Sequence, residues 1–390
     1  MKKIKLLTLT CLLLSVVFMS CKKDPKKDDP VEPTSGETVY IMGTYGVTKS
    51  FLLTNEQLSF FDNNIGDFGA LDMAIADNGD VYVVGEVEPD DDGSLPSSML
   101  FKNGVPCYEY DFDYASFCRI AIEDNGKIAL AGLHLTDQIR PAVWDGTTAT
   151  NLPLPGGDNI SKWYITSMDY KDGHELIAGF YVNANGKYVP AVWVDRQLVN
   201  VDPMNGASTI VDAGTLINGT NFKIAGRYLN EEGNYMAYEY DSQSGTGTRI
   251  PYQWEGSNVS MAYGIVNSSK WNKTEAEGSR SNYSLITEDY EHYEISPTTG
   301  KPYMDTCYGG FYVVKDGNVL PQTMYRYPEG NTISSIIDMS INSKNQLYLV
   351  GSFYTIHEGI KPAYWIDGVR HIIPLEGGAA SKIIIKPAQK

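Results

Sequence analysis

The strongest constraint in this sequence is a short apolar phrase, closed by glycine, that returns at a fixed interval. It reads DNGDVYVVG to Gly85, DNGKIALAG to Gly132, KDGHELIAG to Gly179 and NGTNFKIAG to Gly226, so successive glycines stand 47 residues apart. SKNQLYLVG closes at Gly351, two periods plus 31 residues later, and SNYSLITED (281–289) supplies the strand of the copy in between. A second phrase travels with the first: RPAVWDG (140–146), VPAVWVD (189–195) and KPAYWID (361–367). A chain that writes one unit this often folds as an array of that unit.

Each copy reads as four short strands. From Ala70 they are ALDMAIA, DVYVVGE, SSMLFKN and PCYEYDF. Asp77-Asn78-Gly79 and Asn103-Gly104 join them, residues that tolerate the positive φ of a tight hairpin. Asp145-Gly146, Asp316-Gly317 and Asp367-Gly368 recur at the second turn, which makes VPAVWVD a third strand. Stretches such as VYVVG and LIAGF are apolar on both faces, as suits a sheet covered on each side by a neighbour. A period in the forties with four strands per repeat is the spacing of a β-propeller.

The ends of the chain complement each other. ASKIIIKP (380–387) has the first-strand pattern and no second strand after it, while TVYIMG (38–43) has the second-strand pattern, followed by SFLLTN and QLSFF. Joined, they complete a seventh unit and remove the two edges an open array would leave. The expectation is an all-β fold: a seven-bladed propeller over residues 38–390, closed by N-terminal strands pairing with the C-terminal one. The high counts of glycine (37) and tyrosine (27) agree with many short strands and turns. The rhythm resembles that of NHL-like and YVTN-like propellers. With no Trp-Asp series, Asp-box or kelch double glycine, no family's functional residues carry over.

The N-terminus carries an address. MKKIKLLTLTCLLLSVVFMSC has a basic start and an apolar run from Leu6 to Met19, short for a bilayer span but right for an export signal. Its end, Phe18-Met19-Ser20-Cys21, resembles the lipobox of bacterial lipoproteins, which implies cleavage before Cys21 and lipidation of that residue. KKDPKKDDPVEPTSGE (22–37) is charged, proline-rich and nearly free of apolar side chains, and so reads as a flexible tether. The Cys-Lys-Lys-Asp start resembles outer-membrane lipoproteins of Bacteroidota, which implies a membrane-attached domain on the periplasmic or outer side. The net charge of -17, about -20 without the three lysines of residues 1–20, argues against nucleic acid as a partner. Cys107, Cys118 and Cys307 are too few and scattered for a disulfide framework and read as buried thiols.

In a propeller the fourth-to-first and second-to-third connections emerge at the same end. Here the fourth-to-first loops are rich in acids and aromatics: Asp113, Tyr114, Asp158, Asn159, Trp163, Tyr164, Trp254, Glu255, Tyr327 and Glu329. Aromatic faces that stack on sugar rings, beside carboxylates and amides that take hydroxyls, make these candidate ligand contacts. The opposing reading is that the rings wedge between blades. The fifth unit's extra residues fall at 269–280 and 289–310, the second between strands two and three, adding His292 and Tyr293 as candidates. Asp72, Arg119, Thr166, Asp212 and Asp338 hold one position in five first strands, counted back from the turn. They read as groups buried in hydrogen bonds to loop backbone, in preference to a metal or catalytic ring.

Enzyme signatures are sparse. The five histidines are dispersed, no G-x-S-x-G elbow or P-loop is present, and EPDDDGS (88–94) lacks the spaced ligands of a calcium loop. No cofactor, metal site or catalytic residue is expected. The leading reading is a monomeric, lipid-anchored binding or scaffold propeller for a glycan or a surface protein. The alternatives are a glycoside hydrolase or lyase using carboxylates such as Asp113 and Asp158, and a purely structural interaction module.

Overall fold

In the computed structural model, the described residues are 36–46, 49–61, 68–87, 97–109, 115–123, 125–135, 138–156, 160–254, 257, 259–267, 281–295, 302–326, 334–355 and 359–387. Their strands form five four-stranded antiparallel sheets and one nine-stranded sheet. The nine-stranded sheet consists of two antiparallel groups joined by a single parallel pair, Tyr235 with Val259. Counted as hydrogen-bonded sheets there are six; divided at that pair, there are seven units.

The innermost strands are Phe68–Ile75, Ala115–Ile122, Ile160–Lys171, Thr209–Asn218, Val259–Asn267, Ser334–Ile341 and Gly378–Lys386. We number the units by these strands. In the seventh, the C-terminal strand Gly378–Lys386 pairs with Thr38–Tyr45, from Thr38 opposite Lys386 to Tyr45 opposite Gly378. Lys49–Thr54 and Gln57–Phe60 complete that sheet. The two ends of the repeat array therefore share one sheet, as their complementary patterns predict.

Each innermost strand slips by one residue at the same place. The unpaired residues are Leu71, Cys118, Thr166, Asp212, Tyr263, Ile337 and, in the closing strand, Ser381. These are β-bulges, which bend a strand and redirect its side chains. They explain the recurrent glycine. Gly179 lies opposite Ile165, just before the bulge, where an added Cβ would sit 2.0 Å from the carbonyl oxygen of Tyr164. The same approach recurs at Gly85, Gly132, Gly226, Gly351 and Gly43.

The thrice-written Pro-Ala-aromatic phrase is the third strand. Trp144, Trp193 and Trp365 lie buried between sheets. Pro141 and Pro362 accept hydrogen bonds from Leu152 and Ile373, residues that follow the fourth strand, and have no N–H to return them. The outer ladder stops there, so the proline occupies an edge where its missing donor costs little. Apolar clusters bind each sheet to the next. Phe68, Val83 and Phe101 meet Tyr40 and Met42 across units one and seven, and Trp163, Ile165 and Trp193 meet Ala129 and Val143 across units two and three. Each such side chain contributes roughly 1.5–3 kcal/mol when buried.

The extra residues of the fifth unit lengthen a hairpin. Asn282–Ile295 and Pro302–Lys315 pair from Tyr283 opposite Lys315 to Ile295 opposite Pro302, well beyond the strand length of the other units.

Candidate functional site

The seven innermost strands converge on an axial cavity of about 480 Å³. Its wall takes residues from every unit, beginning at the bulge and running toward the first turn. The bulge fixes which side chains reach it. In the register, the residue after the bulge is Asp72, Arg119, Ser167, Ala213, Gly264, Asp338 and Lys382 in units one to seven.

This ring is asymmetric. Around the axis, Asp338, Lys382, Asp72 and Arg119 follow one another with alternating charge, and Ser167, Ala213 and Gly264 complete the circle with small residues. The Lys382 ammonium lies 3.2 Å from Asp72 and 3.9 Å from Asp338. Burial pulls the ammonium down, but the two carboxylates outweigh it and hold Lys382 above the usual lysine range. Burial pushes the Asp338 carboxyl up, against the opposing pull of Lys382.

The same groups tie each unit to the next. Asp338 accepts the Ile383 N–H at 3.0 Å, and Asp72 accepts the Ile120 N–H at 3.1 Å and the Met73 N–H at 2.9 Å. Arg119 Nε donates to the Thr166 carbonyl at 2.6 Å, and the Ser167 hydroxyl donates to that of Gly214 at 3.0 Å. One layer further in, the buried Asp169 accepts from Thr215 Oγ1 and the Leu216 N–H, both at 2.9 Å. These bonds go to strand backbone, not to the loop backbone expected of the polar position, and the same residues line the axis.

Two of the five residues expected at one position are displaced by one. Thr166 and Asp212 are bulge residues, whereas Asp72, Arg119 and Asp338 follow the bulge. Units three and four close their first hairpin with two residues, Lys171 pairing with His174 and Asn218 with Asn221. Unit one has three between Ala76 and Asp80. Counting back from the turn therefore slips by one in unit three. In unit four a second register shift, between Leu216 and Asn218, restores the length, so the position equivalent to Asp72 is Ala213 and not Asp212. Asp212 lies 3.7 Å from the Arg227 guanidinium, and its buried Oδ2 has no hydrogen-bond partner among the described residues, nor does Arg227 Nε. Burial raises the Asp212 carboxyl to about 6, with Arg227 opposing.

The loop candidates fare differently. The Trp163 ring, 7% exposed, packs at 5.1 Å from Tyr181 and 6.2 Å from Trp193. It serves the core, and its face is covered. Trp254 is half-buried, edge-on to Tyr312 at 5.6 Å, and the Gln253 and Trp254 N–H groups bind the buried Glu288 carboxylate. Tyr164, 41% exposed, stacks on Phe180 at 4.6 Å. His292 and Tyr293 lie on the long hairpin, His292 opposite Thr306 and Tyr293 opposite Met304. Asp113, Tyr114, Asp158, Asn159, Glu255, Tyr327, Glu329 and Cys21 lie outside the described residues. Of the free thiols, Cys107 donates to the Leu100 carbonyl, and Cys118, which burial pushes up, to that of Ile165.

Sequence reasoning missed Lys382, Ser167, Ala213 and Gly264. Aligning Ser381-Lys382-Ile383 with Leu71-Asp72-Met73 would have found the lysine. The small residues carry no signal until the bulge is located. Among the described residues no group of three or more His, Cys, Asp or Glu could hold a metal ion.

No protein family and no curated protein matches the sequence. Solved structures do match in fold. An ulvan lyase of polysaccharide lyase family PL25, bound to -[GlcA(1-4)Rha3S]-, is 12% identical over 87% of this chain and 92% of the lyase, with a TM-score of 0.52. Another structure of a PL25 ulvan lyase gives 0.53 over the same shares. A Trypanosoma rangeli sialidase in complex with sialic acid is 11% identical over 90% of this chain and 59% of its own, with a TM-score of 0.45. The chain folds as a β-propeller. At these identities the likeness is one of fold.

Proposed function

We propose that this protein is a lipid-anchored extracytoplasmic propeller that binds a glycan. The observation that carries the reading is the axial cavity: a polar, charged recess inside a closed ring of sheets, with a volume in the range of about 300–1,000 Å³ common to small-molecule sites. Donors and acceptors alternate along one arc of it, from Asp338 through Lys382 and Asp72 to Arg119, an arrangement that suits the hydroxyls of a sugar.

The strand order separates the point of attachment from the long hairpin. Glu37, the residue before Thr38–Tyr45, accepts from Asn342 Nδ2 at 2.9 Å and from the Ser343 N–H at 3.1 Å, in the first hairpin turn of unit six. The tether thus joins the propeller at the end carrying the first-to-second turns. The long hairpin of unit five extends from the other end.

The test is a glycan array probed with the full chain in detergent, together with membrane fractionation of wild type and Cys21→Ser. Binding of a defined saccharide, and release of Cys21→Ser from the membrane fraction, are the expected results. An array without hits defeats the glycan reading, and a variant that stays in the membrane defeats the anchor.

One observation favours a second reading, a carbohydrate-active enzyme: Asp212, whose carboxyl burial lifts to about 6, suits proton transfer near neutral pH. It predicts new reducing ends, or unsaturated products absorbing in the ultraviolet, when the protein meets polysaccharides.

A further inference from the structure

We propose that the ligand site is the small-residue half of the axial ring, at Ala213 and Gly264, and that it takes a neutral, polyhydroxylated sugar residue. The inference rests on the glycan-binding reading and adds its place and its ligand class.

Three observations lead there. The first is space. Where sister units carry Arg119 or Lys382, units four and five carry Ala213 and Gly264, and all four residues line the cavity. An added Cβ at Gly264 would first meet Met339 Cγ at 3.6 Å, ordinary contact and no clash, so the missing side chain is not forced by crowding. At Gly264 the room is a property of the sequence, not of the backbone; Ala213, a small side chain, packs in part against the cluster that holds Ala225, Ile265 and Ile286.

The second is charge. The opposite half of the ring is Asp338, Lys382, Asp72 and Arg119, two anions and two cations in alternation, with Lys382 held between the two carboxylates. The four cancel. A ligand of net charge would meet an opposing group beside every attractive one, whereas a neutral polyol can accept from the cations and donate to the carboxylates without disturbing that balance.

The third is accessibility. The Asp72 side chain is 6% exposed and spends its oxygens on two backbone N–H groups and Lys382. The Lys382 side chain is 34% exposed and that of Asp338 18%. Asp338 also accepts the Ile383 N–H and faces Lys382, so the ammonium and the Asp338 carboxylate are the more exposed of these three groups, one donor and one acceptor side by side, and not unbonded groups. Sugar hydroxyls, each both donor and acceptor, match such a pair.

Isothermal titration of the full chain in detergent decides the matter. The probes are glucose, galactose, mannose and rhamnose, with glucuronate and glucosamine as charged counterparts. The variants are Ala213→Gln and Gly264→Gln, whose long side chains copy what units two and seven accommodate, and Asp338→Asn. A neutral sugar should bind wild type, with at least tenfold weaker binding in Ala213→Gln and Asp338→Asn, each still unfolding in a cooperative melt. A neutral sugar that binds Ala213→Gln and Gly264→Gln as tightly as wild type would overturn this placement and leave the glycan-binding function standing. Preference for glucuronate or glucosamine overturns the neutral class. If neither these probes nor the array gives binding, the placement and the function fall together.

Discussion

Gly179→Ala tests the claim that the recurrent glycine exists to let a bulged carbonyl approach. A Cβ there would lie 2.0 Å from the Tyr164 carbonyl oxygen and 3.0 Å from its carbon, both backbone atoms in a paired strand that cannot swing away as a side-chain tip could. The strand must shift, and forcing a methyl group into packed structure costs about 1–3 kcal/mol. With backbone on the far side, the upper end applies. Loss of glycine's freedom in the unfolded chain returns about 0.4–1 kcal/mol, leaving a net destabilisation of about 2 kcal/mol. Gly264→Ala is the control. Its Cβ meets nothing nearer than 3.6 Å, and Gly264 is not among the glycines at positive φ. Only the unfolded-state gain remains, about 0.5 kcal/mol of stabilisation. The two alanines should therefore differ by about 2.5 kcal/mol, with opposite signs. Urea unfolding followed by tryptophan fluorescence reads the difference as displaced midpoints. Coincident midpoints for the two variants would refute the bulge argument.

Four further outcomes follow from the same geometry. Asp212 has a folded value of about 6, above the unfolded value of about 3.9, so its contribution is full below about pH 4 and lost as pH rises through 6. Asp212→Asn should flatten that part of the stability profile and gain up to about 2 kcal/mol at pH 7, measured by urea unfolding across pH 4–7. Lys382→Met leaves Asp72 and Asp338 without their shared cation; because the lysine is a third exposed, the loss should be about 1–2 kcal/mol, seen as a lower melting temperature that Lys382→Arg largely restores. Removing residues 378–390 strips the partner from Thr38–Tyr45, and the exposed edge should drive self-association on size-exclusion chromatography. Trp163→Ala should cost about 3–5 kcal/mol as a core truncation, while the half-exposed Tyr164→Ala stays within about 0.5 kcal/mol, both by thermal melting.

The fold was legible because its determinants are local and repeated. The 47-residue spacing of Gly85, Gly132, Gly179 and Gly226 survives into a structure in which five of the six Cβ-excluding glycines opposite bulges belong to that phrase. Gly43, at the same place in TVYIMG, marks the closing unit. The site was less legible for a physical reason. A side chain reaches the axis only according to where a bulge interrupts the two-residue alternation, and a bulge inserts one residue without a composition of its own: Leu71, Cys118, Thr166, Asp212, Tyr263, Ile337 and Ser381 share no chemistry. Trp163 shows the complementary difficulty. Its sequence setting, among Asp158, Asn159 and Tyr164, is that of a binding loop, yet the strand begins at Ile160 and alternation sends its ring inward.

Closure and site chemistry are coupled through one residue. The strand Gly378–Lys386 brings Lys382 between Asp338 of the preceding unit and Asp72 of the following one. Without that strand the two carboxylates would face an open wedge with no cation between them, and the ring would carry excess negative charge in a chain already at -17. With it, the arc becomes neutral and the wall of the cavity complete. The seventh innermost strand therefore supplies two things at once: pairing for Thr38–Tyr45 and the positive charge that balances the axis. An axial site of this composition can exist only in the closed ring, so ligand binding at the axis and ring closure should stabilise each other.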